Sequence, residues 1–191
     1  PDLRKRFLRE RQILARLRHP NIAALLDGGV DDSGAPYFAM ELVQGERITR
    51  WCDMRALPVR DRIRLFLQVL DAVAFAHRQL VVHRDLKPSN ILVDANGKAF
   101  LLDFGIAKLI EGDDDDGHTR TGERAFTPEY ASPEQLHGEP ISAATDLYQL
   151  GVLLYALLAH SHPYGLTGDT PLRARITRMD DVMYATLRRP I

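Results

Sequence analysis

Four polar side chains between residues 85 and 103 have types and spacing that suit the transfer of a phosphoryl group. Asp85, Lys87 and Asn90 lie within six residues, and Asp103 follows thirteen residues later. Pro88 excludes a helix through this loop and favours extended backbone at Lys87. We expect Asp85 to accept the proton of an attacking hydroxyl and Lys87 to neutralise charge on the moving phosphoryl group. We expect Asn90 and Asp103 to hold Mg²⁺, which prefers oxygen ligands.

A β-hairpin has to bring the last two of these residues together. The pair Asn96-Gly97 lies between two short apolar runs, and such a pair favours a type I′ turn because both central residues need positive φ. A turn centred on this pair sets Asn90 opposite Asp103, with Cα atoms roughly 5 Å apart. A bulge would change that register. Taken alone, these two residues are more often the polar end of a hairpin than a metal site.

Three motifs in this region resemble those of one family. Residues 83–90, His-Arg-Asp-Leu-Lys-Pro-Ser-Asn, resemble the catalytic loop of eukaryotic-like protein kinases. Residues 103–105, Asp-Phe-Gly, resemble the metal-binding motif, and residues 132–134 resemble Ala-Pro-Glu with Ser in place of Ala. Lys87, two residues after the aspartate, is similar to the serine/threonine branch. The resemblance covers about residues 2–165 and is that of the bacterial-type catalytic domains.

The resemblance implies an α+β, protein-kinase-like fold. Residues 1–43 would form a partial small lobe and hinge with the family's third helix and two strands. Residues 44–165 would form most of a mainly helical large lobe with the catalytic loop and activation segment, and 166–191 an incomplete tail. The apolar pattern predicts strands over 22–26 and 36–43, and helices over 2–18, 46–55, 59–79 and 143–159.

The sequence predicts the starts of two helices and the buried face of a third. Ser132 as N-cap and Gln135 at N3 predict a capping box, and Ser142 is expected to cap the following helix. Asp146 lies on that nearly all-apolar helix and must be hydrogen-bonded. The spacing within 59–79 predicts a buried face, whose members are Ile63, Phe66, Leu67, Leu70, Val73, Ala74 and His77.

The resemblance also implies a nucleotide site for ATP. Met40 would guard the back of the adenine pocket. Residues 41–43, which include Glu41 and Val43, would form the hinge whose backbone groups bind adenine, and Leu92 would contact the nucleotide. Without the resemblance this segment reads only as an edge strand.

Other positions match structural or regulatory residues of the family. They are Glu10, His83, Arg84, Phe104, Gly105, Thr119, Thr121, Thr127, Glu134 and Asp146. Arg84 would bind an activation segment phosphorylated at Thr119 or Thr121. Glu134 would pair with a downstream arginine, and Asp146 would anchor the backbone of the catalytic loop. Without the resemblance, Glu10 is a helix ion-pair partner and Arg84 a surface arginine.

Two kinase features do not occur in the sequence. It contains no Gly-x-Gly-x-x-Gly loop, and none of its four lysines lies on a strand ahead of Glu10. We therefore expect a chain truncated at both ends that phosphorylates little by itself. Apolar surface normally covered by the absent strands would favour self-association.

Three classes of function stay open. The first is a serine/threonine kinase that uses ATP and Mg²⁺ on protein Ser/Thr hydroxyls. The second is a non-catalytic pseudokinase or binding module, because the positioning of phosphate would be weakened. The third is a small-molecule phosphotransferase, against which Lys87 and residues 132–134 argue.

The composition restricts the partners and the cellular location that we expect. A net charge of −1 in 191 residues predicts no nucleic-acid or anionic-membrane partner. The single cysteine, Cys52, excludes an internal disulfide. No stretch resembles a signal peptide, and the longest apolar segment, 147–159, is too short to span a membrane. We expect one domain in the cytoplasm.

Overall fold

The computed structural model describes residues 14, 16–31, 36–104 and 129–165. The elements are β1 (Leu25–Val30), β2 (Pro36–Met40), β3 (Gly45–Arg47), α1 (Ile48–Met54), α2 (Val59–Arg78), a 3₁₀ turn (Pro88–Asn90), β4 (Ile91–Asp94), β5 (Ala99–Leu101), α3 (Pro133–His137) and α4 (Ala143–Ala159). Several predicted features lie outside the described residues, namely most of the helix over 2–18, the tail over 166–191, Glu10, Gly105, Thr119, Thr121 and Thr127.

Strands β1 and β2 form an antiparallel pair whose bounds differ from the predicted ones. The first strand was predicted over 22–26, but it begins at Leu25. Ile22 is instead buried beside β5, where it forms a parallel bridge to Leu101. The Ala23 amide donates to the Leu101 carbonyl at 3.0 Å, so this segment is held by the other sheet. The second strand ends at Met40, three residues before the predicted end.

The second sheet is antiparallel in the order β3-β4-β5 and contains the predicted hairpin. Its turn is not the predicted two-residue type. The Gly97 amide donates to the Asp94 carbonyl at 3.1 Å, and the Asp94 amide donates to the Lys98 carbonyl at 3.0 Å. Gly97 has φ +78°, which glycine adopts without steric cost. The loop therefore holds three residues, a type I turn followed by a glycine in the left-handed region.

The longer loop shifts the register by one residue. Val93 lies opposite Ala99, and Ile91 lies opposite Leu101. The residue facing Asn90 is Leu102, whose amide donates to the Asn90 carbonyl at 2.9 Å. The prediction that Asn90 lies directly opposite Asp103 is therefore wrong, because the glycine adds one residue to the turn.

Helix α2 exists almost as predicted, but its predicted buried face is correct only in part. Phe66 and Val73 are buried and Ala74 and His77 are half-buried, whereas Ile63, Leu67 and Leu70 are exposed. Apolar residues occur on both sides of this helix. The side that is buried carries, besides Phe66 and Val73, Arg62, Leu65, Val69, Ala72 and Ala76.

Arg62 helps to select that side because it ties three helical segments together. Its guanidinium donates to the carbonyls of Leu57, Leu157 and Cys52 at 2.9, 3.1 and 3.2 Å. It also pairs with the Asp53 carboxylate at 2.9 Å. A buried arginine needs such a set of acceptors, and only this orientation of α2 provides them.

Both predicted helix starts are confirmed. Ser132 and Gln135 form a capping box at α3, and Ser142 forms one with Thr145 at α4. One hydrophobic core joins α1, α2, the hairpin and α4. Among the residues that the structure describes, no helix is long and apolar enough to cross a membrane.

Candidate active site

Three of the predicted catalytic residues meet in the loop before β4. The Lys87 ammonium lies 2.8 Å from Oδ2 of Asp85. The Asn90 amide nitrogen donates to the same oxygen at 3.2 Å and to the Asp85 backbone carbonyl at 2.8 Å. Asp85 and Lys87 keep 19% and 21% of their side chains exposed, so solvent still reaches the group. These contacts fix the direction of the Asp85 carboxylate.

The local backbone explains why these side chains converge. Lys87 is extended at φ −157° and ψ 161°, as expected for the residue before a proline. Pro88 then begins a 3₁₀ turn, in which the backbone amide of Asn90 donates to the Lys87 carbonyl at 3.0 Å. The turn brings Asn90 back towards Asp85, five residues earlier in the chain.

Asp146 of α4 holds the start of the same loop. It is fully buried, and its carboxylate accepts from the backbone amides of His83 and Arg84, both at 2.8 Å. It also lies 2.7 Å from the Nε2 atom of His77. Arg84 has φ +70°, a conformation that side chains other than glycine rarely adopt. The carboxylate of Asp146 stabilises this bend immediately before Asp85.

His83 joins the loop to the end of the hairpin. Its Nε2 lies 2.8 Å from the Leu102 carbonyl, and its ring packs on Phe104 with centroids 4.8 Å apart. Burial lowers the pKa of His83, and it outweighs the opposing effects of the carboxylates of Asp146, Asp85 and Asp103.

Asp103 has an environment unlike that of Asp146. Its side chain is exposed, and its backbone has φ +45°. Within the described part of the chain, no hydrogen bond or ion pair reaches its carboxylate. Together with Met40 and Phe104, Asp103 lines a small apolar cavity. The cavity connects the end of β2 with the segment after β5.

The donor set of Asn90 and Asp103 fits a hard cation. The Asn90 amide nitrogen is used by Asp85, so its oxygen is directed elsewhere, and Asp103 offers an exposed carboxylate. Amide and carboxylate oxygens are suitable ligands for Mg²⁺, which commonly takes only one or two from protein. No group of three or more His, Cys, Asp or Glu side chains that could hold a metal occurs among the described residues.

The predicted nucleotide residues lie on neighbouring elements. Met40 ends β2, and Leu92 is half-buried on β4 opposite Phe100. The Glu41 amide donates to the Ala24 carbonyl at 2.8 Å, so it is used within the protein. Val43, half-buried, follows in the connection to β3.

Three polar residues on these helices were given no part in the predicted site. The sequence predicts His77 only as a member of the buried face of its helix, yet it contacts Asp146. Gln135 is predicted only as a capping residue, and Gln149 lies within the longest apolar segment, yet both contact the Arg84 carbonyl. A buried amide on such a helix needs partners, and this requirement is the signal that marks Gln149.

Glu134 contacts the neighbouring helix, and the arginines downstream of it lie outside the described residues. The Thr145 hydroxyl donates to its carboxylate at 2.5 Å. This contact joins the short helix α3 to the first turn of α4. Asp146 follows Thr145 directly in that turn.

The loop that holds Asp85, Lys87 and Asn90 is anchored to the buried helix α4, and the hairpin after it leads into Asp103 and Phe104, which is the arrangement that the resemblance implies for a protein kinase catalytic domain. In agreement with this, the family model described as protein kinase domain matches residues 1–188. The chain therefore belongs to the protein kinase family.

The curated relatives are bacterial serine/threonine-protein kinases. A probable serine/threonine-protein kinase of Streptomyces coelicolor is 38% identical over 177 residues, which cover 90% of this chain and 26% of that protein. The serine/threonine-protein kinase pkn3 of Myxococcus xanthus is 42% identical over 166 residues, covering 83% and 30%. The DNA damage-responsive serine/threonine-protein kinase RqkA of Deinococcus radiodurans is 41% identical over 176 residues, covering 87% and 25%. The chain thus spans less than a third of the length of these relatives.

Proposed function

We propose that the chain carries the catalytic site of a serine/threonine protein kinase, which transfers the γ-phosphoryl group of ATP to Ser or Thr hydroxyls of a protein. The observation that carries the proposal is the convergence of Lys87 and Asn90 on Oδ2 of Asp85. A proton acceptor, a cation and an amide in one loop are the parts that phosphoryl transfer requires.

Asp85 accepts the proton of the attacking hydroxyl, because its carboxylate is oriented and accessible. Lys87, paired with Oδ2 at 2.8 Å, places positive charge beside the point where the attacking hydroxyl oxygen meets the γ-phosphorus. This charge opposes the negative charge that builds up on the transferred group. Asp85 and Lys87 contribute to the reaction only when they are correctly positioned. The hydrogen bonds that the loop backbone donates to Asp146 therefore support the same chemistry.

Asn90 and Asp103 are the residues that hold Mg²⁺ in this proposal. The ion supplies positive charge to the phosphate oxygens when it is bound. Met40, Glu41, Val43 and Leu92 surround the adenine, with backbone groups of the connection after β2 as its hydrogen-bond partners.

The regulatory assignments extend the same proposal. Arg84 receives a phosphate from Thr119 or Thr121, and Thr127 contacts Asp85. By the resemblance, Glu10 corresponds to the glutamate that pairs with the nucleotide-positioning lysine, and Gly105 belongs to the Asp-Phe-Gly motif. The roles of His83, Phe104, Glu134 and Asp146 are structural. The lobe boundary near residue 43 and a cytoplasmic location belong to the proposal as well.

The test is a transfer assay with labelled ATP, Mg²⁺ and a generic basic protein, followed by phosphoamino-acid analysis. We expect weak labelling, confined to phosphoserine and phosphothreonine, because the sequence contains no Gly-x-Gly-x-x-Gly loop and no lysine on a strand ahead of Glu10. Binding of nucleotide without any transfer would instead favour the alternative of a binding module. Label found only on a small hydroxylated molecule would favour the phosphotransferase.

A further inference from the structure

Two buried glutamines form a hydrogen-bonded bridge behind the catalytic loop. Gln149 of α4 is 1% exposed, and Gln135 of α3 is 5% exposed. Burying an amide side chain is unfavourable unless its donors and acceptor are satisfied. Both residues satisfy theirs with each other, with Ser132 and with the backbone on either side of Asp85.

Gln149 holds the peptide groups that flank the proton acceptor. Its Oε1 accepts from the Leu86 amide at 2.7 Å, and its Nε2 donates to the Arg84 carbonyl at 3.3 Å. One side chain therefore contacts the residue before Asp85 and the residue after it. Because Leu86 is fully buried, its amide has no access to water as a substitute partner.

Gln135 connects the same carbonyl to the capping box of α3. Its Nε2 donates to the Arg84 carbonyl at 2.7 Å, while its Oε1 accepts from the Ser132 amide at 3.0 Å. That oxygen also accepts from Nε2 of Gln149 at 2.8 Å. Opening the helix cap would therefore remove a partner of both the Arg84 carbonyl and Gln149.

The bridge acts where the backbone is strained. Arg84 has φ +70°, a left-handed conformation that is unfavourable for a residue with a side chain. Asp146 binds the amide of Arg84, whereas the two glutamines bind its carbonyl. The direction of the chain from Arg84 to Asp85 therefore depends on both sets of contacts.

We propose that Gln149 and Gln135 are positioning residues for Asp85, and that Gln135 couples the orientation of Asp85 to the cap of helix α3. This inference rests on the proposed function, in which Asp85 accepts the proton. Positioning of this kind affects turnover, because a displacement of about 1 Å at a reacting group costs on the order of 100-fold in rate.

The test replaces Gln149 by methionine, which is similar in size but forms none of these hydrogen bonds. In the full 191-residue chain we expect Gln149→Met to lower kcat for phosphoryl transfer by about tenfold or more, with KM for ATP within about twofold. The Leu86 amide, followed by NMR, should exchange its hydrogen faster because it loses its acceptor.

Gln135→Met is the second variant, and it should lower kcat in the same direction. The effects of the two substitutions should be less than additive in the double variant, since both contact the Arg84 carbonyl. Leu157→Ala is the matched control: it lies eight residues along α4, is fully buried, and should destabilise the fold without a comparable loss of kcat.

Three results would overturn the inference. The first is a kcat of Gln149→Met within about twofold of the wild type, and the second is an equal loss of kcat in Leu157→Ala. The third is unchanged hydrogen exchange of the Leu86 amide in Gln149→Met, a measurement that requires no enzymatic activity. Absence of transfer by the wild type, with faster Leu86 exchange in the variant, would count against the proposed function and not against the bridge.

Discussion

Asn90 donates two hydrogen bonds to Asp85, one to its backbone carbonyl at 2.8 Å and one to its carboxylate at 3.2 Å. The two heteroatoms of an amide point in different directions, so the same side chain that orients Asp85 also presents an oxygen away from it. In the proposed function, Asn90 therefore has two tasks, namely fixing the proton acceptor and binding the metal.

Removing this amide should reduce both activity and stability. Asn90→Ala removes the hydrogen bonds to the carbonyl and the carboxylate of the half-buried Asp85, which together contribute about 1–3 kcal/mol to the free energy of unfolding. Transfer of phosphate should fall by about 100-fold or more because Asp85 loses its orientation. Urea unfolding and the transfer assay measure the two effects. Gln79→Ala, which removes an exposed amide side chain at the end of α2, is the control and should change neither by a comparable amount.

Asp146 should be among the most sensitive positions for stability. Asp146→Asn keeps the size of the side chain but turns an acceptor into a donor facing the amides of His83 or Arg84. We expect the free energy of unfolding to fall by about 3 kcal/mol, since several charge-assisted hydrogen bonds are lost. Asp71→Asn is the matched control, because Asp71 is exposed and its carboxylate contacts His19 in the described part of the chain. Equal effects at the two positions in urea unfolding would contradict this account.

The buried arginine of α2 gives a second stability test. Arg62→Met removes the donor from three backbone carbonyls and from Asp53, and should cost about 3 kcal/mol or more. Arg64→Met, two residues on, breaks only an exposed pair with Asp61 and should cost less than about 1 kcal/mol. Thermal or urea unfolding of both variants measures the difference, and a small loss for Arg62→Met would show that the three carbonyls find other partners.

Stability should decrease as the solution becomes acidic. The folded pKa of His83 lies below the ordinary value of 6.5, so the unfolded chain binds more protons at low pH. Its contribution is complete above pH 6.5 and is lost as the pH falls below that value, by up to about 1.4 kcal/mol per pH unit. Urea unfolding at several pH values should show that the free energy of unfolding changes less with pH in His83→Gln than in the wild type. An equal dependence on pH in the two proteins would mean that His83 does not contribute to it.

The hairpin shows what a local pattern predicts and what it leaves open. Its two strands and its position follow from the apolar runs around Asn96-Gly97. Its register does not, because the same residues fit a two-residue turn and a three-residue turn with Gly97 in the left-handed region. The Asp94 side chain favours the longer turn, since its Oδ1 accepts from the amides of Asn96 and Lys98, both at 2.9 Å.

The helix α2 shows a similar limit for periodicity. Its length and both ends were close to the prediction, but apolar residues recur on two faces. The choice between the faces depends on Arg62, whose acceptors come from Leu57, Cys52 and Leu157, and these are distant in sequence or lie in a loop. Spacing within one helix does not contain that information.

The site was predictable where its residues are neighbours in sequence. Asp85, Lys87 and Asn90 meet within one loop, and proline geometry explains how. The supports behind the loop come from α2, α3 and α4 and were largely missed, because His77 and Gln149 acquire their meaning only when the helices pack. Asp146 was the exception, since a carboxylate on an apolar helix requires partners whatever the fold.

The most direct test of the proposed function replaces Asp85 by asparagine, which keeps the shape of the side chain but does not accept the proton. We predict that Asp85→Asn lowers phosphoryl transfer to a basic protein by about 10²–10⁴-fold, while Asp61→Asn, an exposed carboxylate on α2, leaves it unchanged. Binding of a fluorescent ATP analogue should be similar in all three proteins. A transfer rate for Asp85→Asn equal to that of the wild type would contradict the assignment of Asp85 as the proton acceptor.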